Sequence, residues 1–237
     1  MAEVTNKANS SHDTSKPVNK EFDPQEAMDR ASFFYKKNQN VILGGLAAVV
    51  IVVGGYFAYK NFVSKPNEAK AQAMIFHAQE YFARDSFKLA LNGDGNNYGF
   101  LQVIDKYGST QAGNLARYDA GVSYMRLGDY QKAIDMLNGF SASDDVLQPM
   151  ALGVTGDAYM ELNKIDEAVT AYKKAGHASD NNLTSAMYLF RAGLALEKAG
   201  KNQEAIDVYK EIRSKYPNTL EGRDMDKYLA RLGEVKE

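Results

Sequence analysis

The distribution of apolar and polar positions divides the chain into regions. Residues 1 to about 22 (MAEVTNKANSSHDTSKPVNKEF) are polar and rich in Ser, Asn and Lys. Such a stretch cannot bury enough apolar surface to offset its ordering entropy, so 1–22 reads as a disordered tail. Asp23-Pro24 has the form of a helix start, a side-chain acceptor followed by proline at the first helical position. A short helix to Lys37 follows, with Phe33, Phe34 and Tyr35 at its end, inside a juxtamembrane segment 23–40. Val41 to Tyr59 (VILGGLAAVVIVVGGYFAY) then carries no charge over nineteen residues. Beyond Pro66 the apolar positions recur with helical spacing between short Gly/Asn/Asp loops, and 66–237 reads as one domain.

About 20 mostly apolar residues are needed for a helix to cross the hydrocarbon core, so 41–63 predicts a transmembrane helix in contact with lipid. Ten of the nineteen uncharged residues are Ile, Leu, Val or Phe. Together they favour insertion by roughly 3 to 6 kcal/mol. Aromatic residues sit at both ends, as an interfacial belt would, and Lys60 can snorkel to the headgroups. A signal peptide would start nearer the N-terminus and end in small residues, and Phe57-Ala58-Tyr59 makes a poor cleavage site. Flanking charge does not set the orientation: Arg30, Lys36 and Lys37 precede the span, and Lys60, Lys65 and Lys70 follow it. Gly44/Ala48 and Gly54/Ala58 are small residues four apart, a spacing that lets another membrane helix approach closely.

The C-terminal region contains an internal repeat. Gly121 and Ala133 are twelve apart, as are Gly156 and Ala168, and Gly193 and Ala205; the glycines step by 35 and then 37 residues. Tyr124, Tyr159 and Leu196 come three after each glycine, and Leu137, Tyr172 and Tyr209 four after each alanine. Gly128, Asn163 and Gly200 lie where two helices would turn, and Pro217 lies where a unit would close. Small residues at a crossing bring two helix backbones together, and large ones fill the remaining space. One such pair cannot bury its apolar face alone, so neighbours must stack.

This pattern resembles the tetratricopeptide repeat, a 34-residue helix–turn–helix with the signature W-x₂-L-G-x₂-Y, A-x₃-F and P. The leading Trp and Leu are replaced by Arg117 and Ala120 in the first clear unit. The surplus over 34 falls in loops near Ser141–Gln148 and Gly176–Leu183. A less regular unit precedes, with a long helix expected over Asn67–Leu91, a break at Asn92–Asn97 and a second helix over Gly99–Tyr107. Thr219 starts a final helix to about Leu232, the solvating cap of a solenoid. The fold class is therefore all-α: one N-terminal transmembrane helix, then a TPR-like α-solenoid of three to four helix pairs with a C-terminal capping helix.

The resemblance implies a concave groove lined by the first helix of each unit. Laid on this chain, it turns Tyr118, Met125, Met150, Met160, Met187 and Phe190 toward the groove, with Arg126, Asp157 and Arg191 among them. Four of the nine methionines are in this set, and methionine suits adaptable apolar surfaces. The Lys/Asn clamp that grips a peptide's terminal carboxylate in chaperone-tail-binding repeats is not reproduced, so apolar or extended segments of other proteins are the expected ligands.

Composition narrows the remaining classes. A net charge of −2 gives no electrostatic case for nucleic acid. Cysteine is absent, and His12, His77 and His177 match no ligand spacing, so no metal site is expected. Asp94-x-Asn96 with Gly99 and Asp105 is a loose likeness of a calcium loop, but Tyr98 stands at a ligand position and Asp105 is too short for the bidentate glutamate; it reads as a plain Gly/Asn loop. No catalytic or cofactor-binding signature is visible, so neither enzymatic activity nor a cofactor is expected.

One membrane helix after a short polar tail, followed by a small repeat domain, resembles the YfgM-type ancillary subunit of the bacterial SecYEG translocon. The resemblance covers about 30–233. It implies an N-terminus in the cytoplasm, repeats in the periplasm, SecYEG and a membrane-anchored periplasmic chaperone as partners, and a chaperone-like role in export or periplasmic folding. The alternative is a scaffold or docking subunit of another cell-envelope complex.

Overall fold

The structure is a computed structural model and describes residues 23–234; the tail assigned to 1–22 lies outside them. Among the described residues every regular element is helical. The chain separates into two compact units at Phe57/Ala58.

The first unit holds most of helix α1, Pro24–Tyr59. Asp23 opens it as expected: its Oδ1 accepts from Gln25 N–H at 2.9 Å. No residue of α1 is buried, and the helix is long and apolar enough to cross a membrane. Its backbone breaks at Asn38 (φ −115°, ψ 17°), whose Nδ2 donates to Phe34 O at 3.0 Å.

The second unit begins with a π-helical turn, Lys60–Ser64, closed by Lys65 N–H donating to Lys60 O. Pro66 gives a reason for it. Proline has no N–H for the carbonyl four residues back, and the wider turn accommodates the missing bond. Then follow α2 (Lys65–Ala83), α3 (Phe87–Asn92), α4 (Phe100–Tyr107), α5 (Gln111–Leu127), α6 (Tyr130–Asn138), α7 (Leu147–Glu161), α8 (Ile165–His177), α9 (Ser185–Lys198), α10 (Asn202–Lys215) and α11 (Leu220–Arg231).

The pairs α5/α6, α7/α8 and α9/α10 are the three repeat units, and the repeated glycines have equivalent surroundings. A Cβ added at Gly121 would meet the Leu137 side chain, one at Gly156 the Tyr172 ring and one at Gly193 the Tyr209 ring. Ala133, Ala168 and Ala205 are each fully buried. Helix α11 closes the stack with Met225 and Leu229, both fully buried, and Thr219 Oγ1 accepts from Gly222 N–H at 3.0 Å as its N-cap.

Ahead of the repeats, α2, α3 and α4 pack with α5 around Ala71, Ile75, Phe100, Val103 and Ala116. The single helix expected over Asn67–Leu91 is instead two helices. Asp85 adopts a left-handed φ of +55°, and Ser86 N–H turns back to Tyr81 O at 2.9 Å. The turn lets Phe87 meet Phe82 edge-on with ring centroids 5.6 Å apart. Glu68 of α2 crosses to the start of α5, where its carboxylate accepts from Gln111 N–H at 2.6 Å and Ala112 N–H at 3.1 Å. Thr110 Oγ1 takes Gly113 N–H at 3.0 Å, so three donors of that helix end that lack an intrahelical partner are satisfied.

Candidate protein-binding groove

The first helices of the units, α5, α7 and α9, present a repeating set of side chains to one face. Counting from each repeat glycine, the residue one further on (Val122, Asp157, Leu194) and the residues four and five further on (Met125 and Arg126, Met160 and Glu161, Glu197 and Lys198) lie on one side of the helix, as a 3.6-residue period dictates. All but Glu197 line two adjoining hollows of about 490 and about 610 Å³. The hollows share Met125, Asp157 and Glu161, so they are parts of one groove. Its floor is apolar at Val122, Met125, Val154, Met160 and Leu194. Its charges alternate in sign at equivalent positions: Arg126, Glu161, Lys198.

Asp157, at the centre of the groove, is already engaged. Arg191 Nη1 of the next unit reaches its two oxygens at 2.7 and 2.8 Å, and Tyr172 OH of its own unit donates to Oδ1 at 2.6 Å. Burial and that hydrogen bond push the Tyr172 hydroxyl pKa far above its ordinary value, so it remains a donor. Burial pushes Tyr188, whose ring lies under the Arg191 guanidinium, up to about 12. Burial alone would lower the Arg191 pKa, but Asp157 beside it outweighs that and holds it raised. The same tie recurs one unit later: Tyr209 OH donates to Glu197 Oε1 at 2.5 Å, and Arg231 Nη2 reaches both Glu197 oxygens at 2.6 and 2.8 Å. In both cases the arginine lies 34 residues after the acid. An acid on α7 and one on α9 thus each bind the second helix of their own unit and the helix that follows it.

Of the residues assigned to the groove from sequence, Met125, Arg126, Asp157, Met160 and Arg191 come together along its lining. Tyr118, Met150, Met187 and Phe190 line neither hollow. Tyr118 packs on Phe140 with centroids 5.5 Å apart. Met187 and Phe190 pack against the core, Phe190 edge-on to Tyr228 at 4.8 Å. Val122, Val154, Glu161, Leu194 and Lys198 were not foreseen there; for all but Val154 the signal was available, since they stand one or five residues after a repeat glycine. In α1, Gly44 and Gly54 have nothing within 4 Å of an added Cβ, and Ala48 and Ala58 are exposed. The Asp94 carboxylate is filled by protein donors, Asn96 N–H at 2.9 Å, Asn97 N–H at 2.6 Å and Tyr81 OH at 2.8 Å. Among the described residues no group of three or more His, Cys, Asp or Glu side chains is placed to hold a metal.

Comparison with known proteins agrees with this geometry. The family model of the tetratricopeptide repeat matches residues 118–182 and again 154–218, two windows offset by 36 residues. The segment 118–218 is thus similar to tetratricopeptide repeats, a repeat class of protein–protein interaction modules. Two solved structures of nearly identical TPR-like repeats from Podosopora anserina, described as a kinesin light chain (one of them a single-substitution variant), share the fold. They are 16% and 15% identical to this chain, cover 70% of it and 85% and 86% of their own length, and superpose with TM-scores of 0.52. No curated protein matches the chain.

Proposed function

We propose that this chain is a membrane-anchored adaptor that holds extended apolar segments of other proteins in its concave groove. Residues 41–63 cross a bacterial inner membrane, with the N-terminus cytoplasmic and the domain 66–237 periplasmic. There the chain acts beside SecYEG and a membrane-anchored periplasmic chaperone, as an ancillary subunit that helps exported chains leave the channel and fold. The observation that carries the reading is the apolar row Val122, Met125, Met160 and Leu194 along one open groove, in a chain that also has a helix apolar enough to span a bilayer. Asp157 and Arg191 neutralise each other, so they do not demand a charged ligand. Orientation and the Sec partner rest on the resemblance to YfgM-type subunits. Gly44, Ala48, Gly54 and Ala58 offer a face on which a partner's membrane helix can pack closely.

The natural chain has no cysteine, so single-cysteine variants carry one label each. A photocrosslinker at Met125→Cys or Met160→Cys is expected to trap chains in the course of export, and mild detergent extraction is expected to recover Sec subunits. Repeats that a protease reaches only from the cytoplasmic side would sink the reading. Groove crosslinks to a single folded protein would instead make the chain a docking subunit of another envelope complex.

A further inference from the structure

The helix ahead of the span is built to lie on a membrane surface. In Pro24–Lys37, at about 100° per residue, Phe34, Ala27, Ala31, Pro24, Tyr35 and Met28 fall within an arc of about 120°. The opposite side carries Gln25, Glu26, Asp29, Arg30, Ser32, Lys36 and Lys37, with Phe33 alone among them. The apolar arc is uncovered: Met28 is 72% exposed and Phe34 63%. Val41–Tyr59 rises about 28 Å at 1.5 Å per residue, which already covers a hydrocarbon core of about 30 Å. Pro24–Lys37 is therefore outside the core, and its charged side chains also keep it there.

The break at Asn38 separates the two pieces. The Asn38 side chain donates to Phe34 O, the carbonyl that the Asn38 N–H would take in an unbroken helix, so the axis can turn at that point without an orphaned acceptor. We infer that Pro24–Lys37 is an amphipathic anchor that lies in the headgroup region of the bilayer crossed by 41–63. Phe34, Tyr35 and Met28 face the acyl chains, while Lys36 and Lys37 face anionic headgroups and Arg30 pairs with Glu26. The occupant of the apolar arc is the lipid surface because the arc runs directly into the span and its basic residues flank the membrane entry. The inference rests on the proposed span.

The chain has no tryptophan, so each single-tryptophan variant reports one site. Full-length F34W, F33W and V50W chains would be reconstituted in phosphatidylcholine vesicles with and without phosphatidylglycerol. Phe34→Trp should be blue-shifted and quenched by lipids brominated near the headgroup. Its neighbour Phe33→Trp should be quenched by aqueous iodide several-fold more strongly. Val50→Trp should be quenched by bromines at the bilayer centre. With Val50→Trp deep, equal iodide quenching at positions 33 and 34 overturns the surface helix and leaves the span intact. Protection of both positions that rises with the protein-to-lipid ratio means a second copy covers the arc, and it overturns the inference too. Val50→Trp open to iodide removes the span, and the inference with it.

Discussion

Replacing Gly193 by alanine should destabilise the domain, although alanine is the better helix former. Away from packing, the exchange would favour a mid-helix position by about 0.8–1 kcal/mol. Here the new methyl would overlap Tyr209, with Cζ at 2.8 Å and Cδ1 at 3.0 Å and Cε1 nearer still. Tyr209 is fully buried, with Phe190 and Tyr228 at 6.1 and 5.6 Å and its hydroxyl donating to Glu197. Swinging the ring away forfeits that charge-assisted bond, and holding it in place forces overpacking of about 1–3 kcal/mol. The steric cost outweighs the propensity gain, and a net loss of about 1–2 kcal/mol is expected. Tyr209→Val removes the overlapping ring atoms, and in that background Gly193→Ala should stabilise by about 0.5–1 kcal/mol. Urea unfolding followed by far-ultraviolet circular dichroism on the four proteins of the cycle gives the coupling, expected at about 2 kcal/mol. A zero coupling, or a stabilising Gly193→Ala in the natural background, would refute close backbone approach as the reason for glycine there.

Three further outcomes follow from the side-chain contacts. Burial raises the Asp119 pKa against the opposing hydrogen bond from Gln79, so its ionised form weakens the fold at neutral pH and stability is regained as pH falls through that raised value; Asp119→Asn, which keeps an acceptor for Gln79, should raise Tm at pH 7 and flatten this dependence. Hydrogen bonds lower the Asp94 carboxyl pKa, first from Asn97 N–H and then from Tyr81, and those from Leu147 and Val146 N–H lower Asp144; both contribute stability present above the ordinary carboxylate pKa and lost as pH falls below it, so Asp94→Ala and Asp144→Ala should each shift acid unfolding to higher pH. Arg191→Met and Asp157→Asn, about a third exposed at both ends, should show a double-mutant coupling of about 0.5–1 kcal/mol by urea unfolding, and additivity would deny the tie between units.

What could be read from the chain followed from how far apart the determinants lie. The Gly/Ala pairs twelve apart were legible because a helix crossing constrains local residue sizes, and the crossing glycines do meet Leu137, Tyr172 and Tyr209. Thr219 and Asp23 were legible because a cap is set by its nearest neighbours. The break after Ala83 was not, because it depends on Asp85 accepting a left-handed backbone so that two phenylalanines can meet. The π-helical turn was also missed, although Pro66 marks its end. Met187 and Phe190, assigned to the groove from sequence, line neither hollow and pack on the core; an apolar residue at a helical spacing fits core and surface alike. Helical phase does not separate them, since Met187, Phe190 and Leu194 share one face of α9; Phe190 is covered because Tyr228 of α11 packs on it.

The bridge from Glu68 to the start of α5 has a consequence for how the domain opens. They are 43 positions apart, with all of α3 and α4 between them, so one carboxylate closes a large loop. A stack held only by adjacent pairs frays from either end, one unit at a time. Here the amino-terminal end is latched by a contact that skips two helices, whereas the tie from α11, Arg231 to Glu197, skips only α10. Amide exchange should accordingly be slow in α2 and α5 together and fast in α11, giving the solenoid one firm end and one that peels.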